Sequence, residues 1–263
     1  MNTKLVIRKL MRTALAASIV LLSGVAVAAS VSVNLTAQRM STALPDGATV
    51  PMWGYCTTGS ASCPASPATV GIWAPGPTIV VPFETALGAV NSLTINLTNN
   101  LPTPTSLVIL GQLGGGLGTP VKSAFPQHAG QTTTTWPGNA GPADGTAPFT
   151  PPAQGQRATS FATEVAPSAT ATTLTWANLK PGTYIYETGT LPSVQAPMGL
   201  YGVLIVTTAP TATAVGQAYP TVAYDADTSL LFSEIDPVQN KAVDAAALAN
   251  ADFKKRLDRK SVV

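Results

Sequence analysis

"PGTYIYETGTLPSVQAPMGLYGVLIV", residues 181 to 206, decides how this chain is read. "GTYIYET" is rich in Tyr, Ile and Thr, residues that suit a half-buried pleated strand. Pro192, Pro197 and Gly199 then interrupt the chain, and "GLYGVLIVT" resumes as an apolar strand. Two strands joined by a Gly/Pro loop, with Gly199 and Gly202 at the return, describe a sheet end where backbones approach closely. Tyr184 is the expected aromatic core residue, and Leu200, Val203 and Ile205 the expected inner face.

More strands flank this pair. Val31, Val33 and Leu35 alternate with polar residues, "PDG" turns the chain, and "VPMWGYC" follows as a second strand. After "APGP", Thr78 to Phe83 and Ser92 to Thr98 read as two more, the latter with Leu93, Ile95 and Leu97 pointing inward. "TSLVILGQL", "RATSFATEV", "ATTLTWANL" and "PTVAYDADTSLLFSEIDPV" extend the series. Short strands at regular spacing with Gly/Pro turns predict an all-β fold, an antiparallel Greek-key β-sandwich. A short C-terminal helix is expected in "NKAVDAAALANADFKKRLDRK", where Val243, Leu248, Phe253 and Leu257 fall at near-helical spacing. Its apolar stripe is read as ordinary packing or disorder, with a docking face as the alternative.

Residues 1–29 stand apart. Lys4, Arg8, Lys9 and Arg12 precede the apolar run "ALAASIVLLSGVAVAA", which ends in Ala26-Val27-Ala28. This is the pattern of a cleaved secretory signal peptide; an uncleaved anchor is the alternative. Cleavage takes the fourteen Lys and Arg to ten, against twelve Asp and Glu. A near-neutral body argues against nucleic acid as a partner, and no other stretch is apolar and long enough to span a bilayer. The expected location is periplasmic or secreted. In that setting Cys56 and Cys63, close in sequence, are expected to pair rather than to stay as free thiols. From Gly111 to Gln156 the chain is rich in Gly, Pro and Thr, either a surface excursion or a lid or partner-docking loop.

Several of these segments, in order, resemble the first domain of multicopper oxidases of the laccase type. They are "APGPTIVVPFETALGAVNSLTINLTNNLPTPTS", "LKPGTYIYETGTLPSVQAPMGLYGVLIV" and "YDADTSLLFSEIDP", within roughly residues 45 to 237. The resemblance implies a cupredoxin-like (plastocyanin-like) sandwich over 30–210. It also implies an extension over 211–263 like the start of a second such domain. That extension reads as truncated or, alternatively, as a last strand docked on a single domain. In the family, "TS" leads into His-x-His-Gly, and further histidines follow "GTY.Y"; these hold copper. Here the matching positions are Val108, Leu110, Glu187 and, depending on the gap, Gly189 or Leu191. None is His, and the chain has a single His, His128. A blue-copper site needs two His, a Cys and usually a Met, which Met198 alone does not provide.

The resemblance therefore implies a module that keeps the fold and lacks the metal, with apolar residues filling the vacated space. No catalytic residue and no metal ligand is assigned. Glu187, Glu234, Asp225, Asp227 and Asp236 are too scattered to form an acid/base pair. No cofactor is expected in this chain, although copper is expected of intact family members. The expected role is structural or interactive, with further cupredoxin domains or a periplasmic protein as partner. Two alternatives stand beside it: the N-terminal part of a copper-dependent oxidoreductase whose copper lies in later domains, and a secreted binding module using the Gly/Pro loop.

Overall fold

The computed structural model describes residues 30–57, 60, 63, 70–83, 91–118, 120–123, 156–168 and 170–249. The signal-like segment 1–29, most of the 111–156 stretch with His128, and Phe253 and Leu257 lie outside the described residues. In chain order the elements are β1 (Ser30–Ala43), β2 (Thr49–Thr57), β3 (Gly71–Ile72), β4 (Gly76–Pro82), β5 (Ser92–Asn99), β6 (Val108–Ile109) and β7 (Val121–Ser123). There follow β8 (Arg157–Ser160), β9 (Thr172–Trp176), β10 (Gly182–Glu187), α1 (Pro192–Gln195), β11 (Tyr201–Thr207), β12 (Gly216–Tyr219), β13 (Val222–Tyr224) and α2 (Pro237–Leu248).

Two sheets pack face to face, as expected of an all-β sandwich. One runs β2-β1-β5-β9, with β3 also on β1; the other runs β4-β11-β10-β6. Pairings within them are mixed: β1 lies parallel to β3 and β5, and β4 parallel to β11, while the remaining neighbours are antiparallel. The alternation read in the sequence sets the register. Val31, Val33 and Leu35 stand opposite Leu93, Ile95 and Leu97, so over this stretch one face of each strand is aliphatic. These side chains meet Ile79, Val81, Leu204 and Val206 of the second sheet in one core. Each buried aliphatic contributes about 1.5–3 kcal/mol relative to exposure.

Tyr186, not Tyr184, is the fully buried aromatic of β10. Its ring centroid lies 5.9 Å from that of Tyr55, and its hydroxyl donates to the Pro77 carbonyl at 2.7 Å. A Cβ on Gly76 or Gly202 would sit 2.4 or 2.2 Å from Tyr186 atoms, so both positions exclude any side chain. Tyr184 is half-buried, with its hydroxyl on the Pro181 carbonyl.

Other expectations change. Leu200 faces the core, but Leu204 and Val206 do so in place of Val203 and Ile205, because side chains alternate along a strand and Leu200, Gly202, Leu204 and Val206 share one face. "TSLVILGQL" contributes only the two residues of β6. "YDADTSLLFSEIDP" is not a strand beyond Tyr224, and Leu230 and Phe232 on it are exposed. The C-terminal helix starts at Pro237, earlier than expected, because Asp236 caps it by accepting from Val238 N at 2.9 Å and Gln239 N at 3.1 Å. Its Val243 is buried in the sandwich core and Leu248 is exposed. Cys56 and Cys63 form the expected disulfide, which with Met40, Val50 and Met52 makes a second, smaller core.

Candidate functional site

β6 and β10 bring the suspected ligand positions together. Val108 pairs with Glu187 across these strands, in the register Tyr186↔Ile109 and Glu187↔Val108. Val108 is buried, whereas Leu110 is 49% exposed. Gly189 is enclosed: a Cβ there would lie 2.8 Å from Val108 Cγ1 and 3.0 Å from Ser106 Oγ, leaving no room for an imidazole. Leu191, with φ 42°, begins the single turn of α1 and packs against the core edge. Met198 is fully buried in the core, where a thioether serves as filler.

The space behind these positions is not filled by hydrocarbon. Thr105, Ser106, Ser160, Thr188, Thr190 and Gln195, none more than 1% exposed, occupy it as a connected polar network. Thr105 and Thr188 hydroxyls each lie 2.9 Å from Gln195 Oε1 as donors. Gln195 Nε2 donates to the Pro104 carbonyl at 2.8 Å. Thr190 Oγ1 lies 3.0 Å from both Ser106 Oγ and Ser160 Oγ, and Gly189 N–H donates to Ser106 Oγ at 3.1 Å. Ser160 Oγ donates to the Ala162 carbonyl at 2.9 Å. The Tyr55 hydroxyl donates to the Ser106 carbonyl at 2.6 Å. Burial drives the Tyr55 and Tyr186 phenols well above their ordinary range, so both stay protonated donors.

These residues were not singled out in the sequence. The hints were the hydroxyl-rich runs "PTPTS" at 102–106 and "ETGT" at 187–190, each beside an apolar strand. Nothing local marks Ser160, which joins the network only through the fold.

Beside the network lies a cleft of about 450 Å³. Val108, Ile109, Leu110, Leu113, Leu117 and Phe161 supply its apolar wall. Glu187 is the one ionisable side chain among its described lining residues, and burial raises its carboxyl above the ordinary range. A second cleft, about 540 Å³, lies on the outer face of the β4-β11-β10-β6 sheet under residues 218–231. Ile185, Val203 and Ile205 form its floor and Tyr219, Tyr224 and Leu231 stand over it.

The donor set does not fit copper. Val108, Leu110, Gly189 and Leu191 carry no donor atom, the network hydroxyls are spent on one another, and Glu187 is a single hard oxygen donor where imidazole and thiolate are wanted. Among the described residues no three His, Cys, Asp or Glu side chains gather where they could hold a metal ion. The scattered carboxylates stay apart as well: Asp225, Asp227 and Glu234 are exposed, and Asp236 is the helix cap. His128 lies outside the described residues.

No family model matches the chain, and no curated protein does. Solved structures do. The chain is similar to a multicopper oxidase from Pseudomonas thermotolerans at 18% identity and TM-score 0.36, over 68% of this chain and 30% of that one. It is similar to the copper nitrite reductase from Nitrosomonas europaea at 17% and 0.37, over 67% and 41%. It is also similar to the laccase from Botrytis aclada at 21% and 0.36, over 69% and 23%. The identities are low, and the chain spans less than half the length of each of these proteins.

Proposed function

We propose that this chain is an exported, copper-free sandwich module of the multicopper-oxidase kind, with a structural or interaction role in place of electron transfer. The supporting observation is the identity and packing of the residues where the resemblance puts ligands. Val108 is buried and donorless, Gly189 has no room for a side chain, and saturated hydroxyls and Gln195 fill the space behind them. Further cupredoxin domains or a periplasmic protein are the partners this reading proposes, with the sandwich as a rigid spacer.

Metal analysis of the purified mature chain, after equilibration with Cu(II) and removal of loosely held metal, tests the reading. Copper well below one equivalent and no intense blue absorption are expected. One tightly held copper per chain, or a thiolate-to-copper absorption band, overturns it.

A further inference from the structure

The cleft beside β6 and β10 has a chemical character of its own. Leu110, Leu113, Leu117 and Phe161 are 49, 87, 37 and 55% exposed, yet they gather around one concavity. Scattered exposed apolar residues are ordinary; a contiguous set lining a cavity of ligand size is a binding feature.

The polar atoms of the lining are committed elsewhere, with one exception. Gln112 spends its amide on the Lys180 backbone, donating to the carbonyl at 3.0 Å and accepting from N–H at 3.2 Å. The Thr188 hydroxyl belongs to the network through Gln195. Glu187 has no hydrogen-bond or ion-pair partner among the described residues, and no described Lys, Arg or His lines the cleft. Among the described residues the wall thus presents hydrocarbon and one carboxylate without a partner, held at the end of β10.

We infer that this cleft binds a small amphipathic organic cation, an alkyl- or arylalkyl-amine, with its apolar body against Leu110, Leu113 and Phe161 and its ammonium on Glu187. Charge complementarity selects the ligand class. A carboxylate partly out of water gains most from a cation, a neutral ligand leaves it unpaired, and an anion is repelled. The volume suits a phenyl ring on a short chain.

The experiment is a titration of the native chain with 4-phenylbutylamine and with its neutral counterpart 4-phenyl-1-butanol, followed by amide chemical shifts in the presence of EDTA. Chelation keeps the result separate from the copper reading, which metal analysis decides independently. Saturable amine binding is expected, with shifts centred on 108–117, 161 and 187–189, and affinity for the alcohol about tenfold weaker. Glu187→Gln is expected to abolish the preference while leaving alcohol binding unchanged. Leu113→Ser, at a position too exposed to affect folding, weakens both ligands. Equal affinity for the two ligands, a preference that survives Glu187→Gln, or shifts centred on the outer-face cleft under 218–231 would each overturn the inference, as would the absence of saturable binding.

Discussion

Two polar clusters among the described residues, one buried and one partly buried, are built on opposite principles. The network of Thr105, Ser106, Ser160, Thr188, Thr190 and Gln195 carries no charge, and its members hydrogen-bond to one another and to nearby backbone. The second cluster is ionic. Asp244 of α2 receives Arg39 Nε at 2.8 Å, Arg39 Nη2 at 2.6 Å and Trp53 Nε1 at 3.1 Å. Beside it Asn240 Nδ2 donates to the Pro51 carbonyl at 3.2 Å. The Asp244 carboxylate holds the Arg39 guanidinium above its usual value, first by hydrogen bonding and then by charge, against the lowering effect of burial.

The difference concerns what each cluster joins. The neutral network knits loops at one sheet end and needs no counter-ion, so it can stand where the resemblance places metal ligands. The ionic cluster ties residues 205 positions apart and seats α2, with Val243 and Ala247, on the core. Removing Asp244, the buried member of a partly buried pair, strands Arg39 and Trp53; removing one member of a neutral network leaves only dipoles unsatisfied.

That contrast orders the outcomes. Asp244→Ala carries the largest expected effect, a loss of about 3 kcal/mol in unfolding free energy by urea titration, because Arg39 and Trp53 lose their common acceptor together. Trp53 fluorescence is expected to change in the native baseline as α2 loosens. A loss under about 1 kcal/mol would mean that water already screens the pair, and the distinction between the clusters would collapse.

Gln195→Leu comes second. The substitution preserves volume but leaves the Thr105 and Thr188 hydroxyls without their shared acceptor and the Pro104 carbonyl without a donor. A loss of about 2 kcal/mol is expected from the same measurement. Thr190→Val tests the other half of the network through the Ser106 and Ser160 contacts and is expected to cost about 1 kcal/mol. A Gln195→Leu effect equal to that of Asp244→Ala would show the neutral network to be as demanding as the ionic one.

The clusters also mark how far the sequence could be read. Strand alternation at Val31, Val33 and Leu35 and at Leu93, Ile95 and Leu97 is a local pattern, and the sheets follow it. The Cys56–Cys63 pairing is equally local. Leu200, Val203 and Ile205 do not share a face of β11, because alternation along the strand puts Leu204 and Val206 beside Leu200. The donorless positions Val108 and Leu110 were legible, since their side chains carry no ligating atom wherever they point. What fills the space was not, because Ser160, Thr190 and Gln195 become neighbours only through long-range closure. The Arg39–Asp244 pair was hidden for the same reason.

Glu187 offers the smallest and most selective effect, since it stands between the saturated network and the open cleft. Burial raises its carboxyl above the unfolded value of about 4.3. Between the two values the native chain binds more protons than the unfolded chain, so stability falls as pH climbs through that window. The contribution is fully present below the unfolded value and lost above the folded one. Tyr55, whose phenol feels the Glu187 charge, is itself driven upward chiefly by burial and stays neutral there. Glu187→Gln removes the titration. The expected result is a variant that gains on the native chain as pH rises from about 4 to 7, by well under 1 kcal/mol because water screens a half-exposed carboxylate. A parallel pair of stability–pH curves would mean that Glu187 is solvated like a surface acid. The cleft would then lose the partly buried carboxylate that separates its chemistry from that of the groove under 218–231, whose Asp227 is exposed.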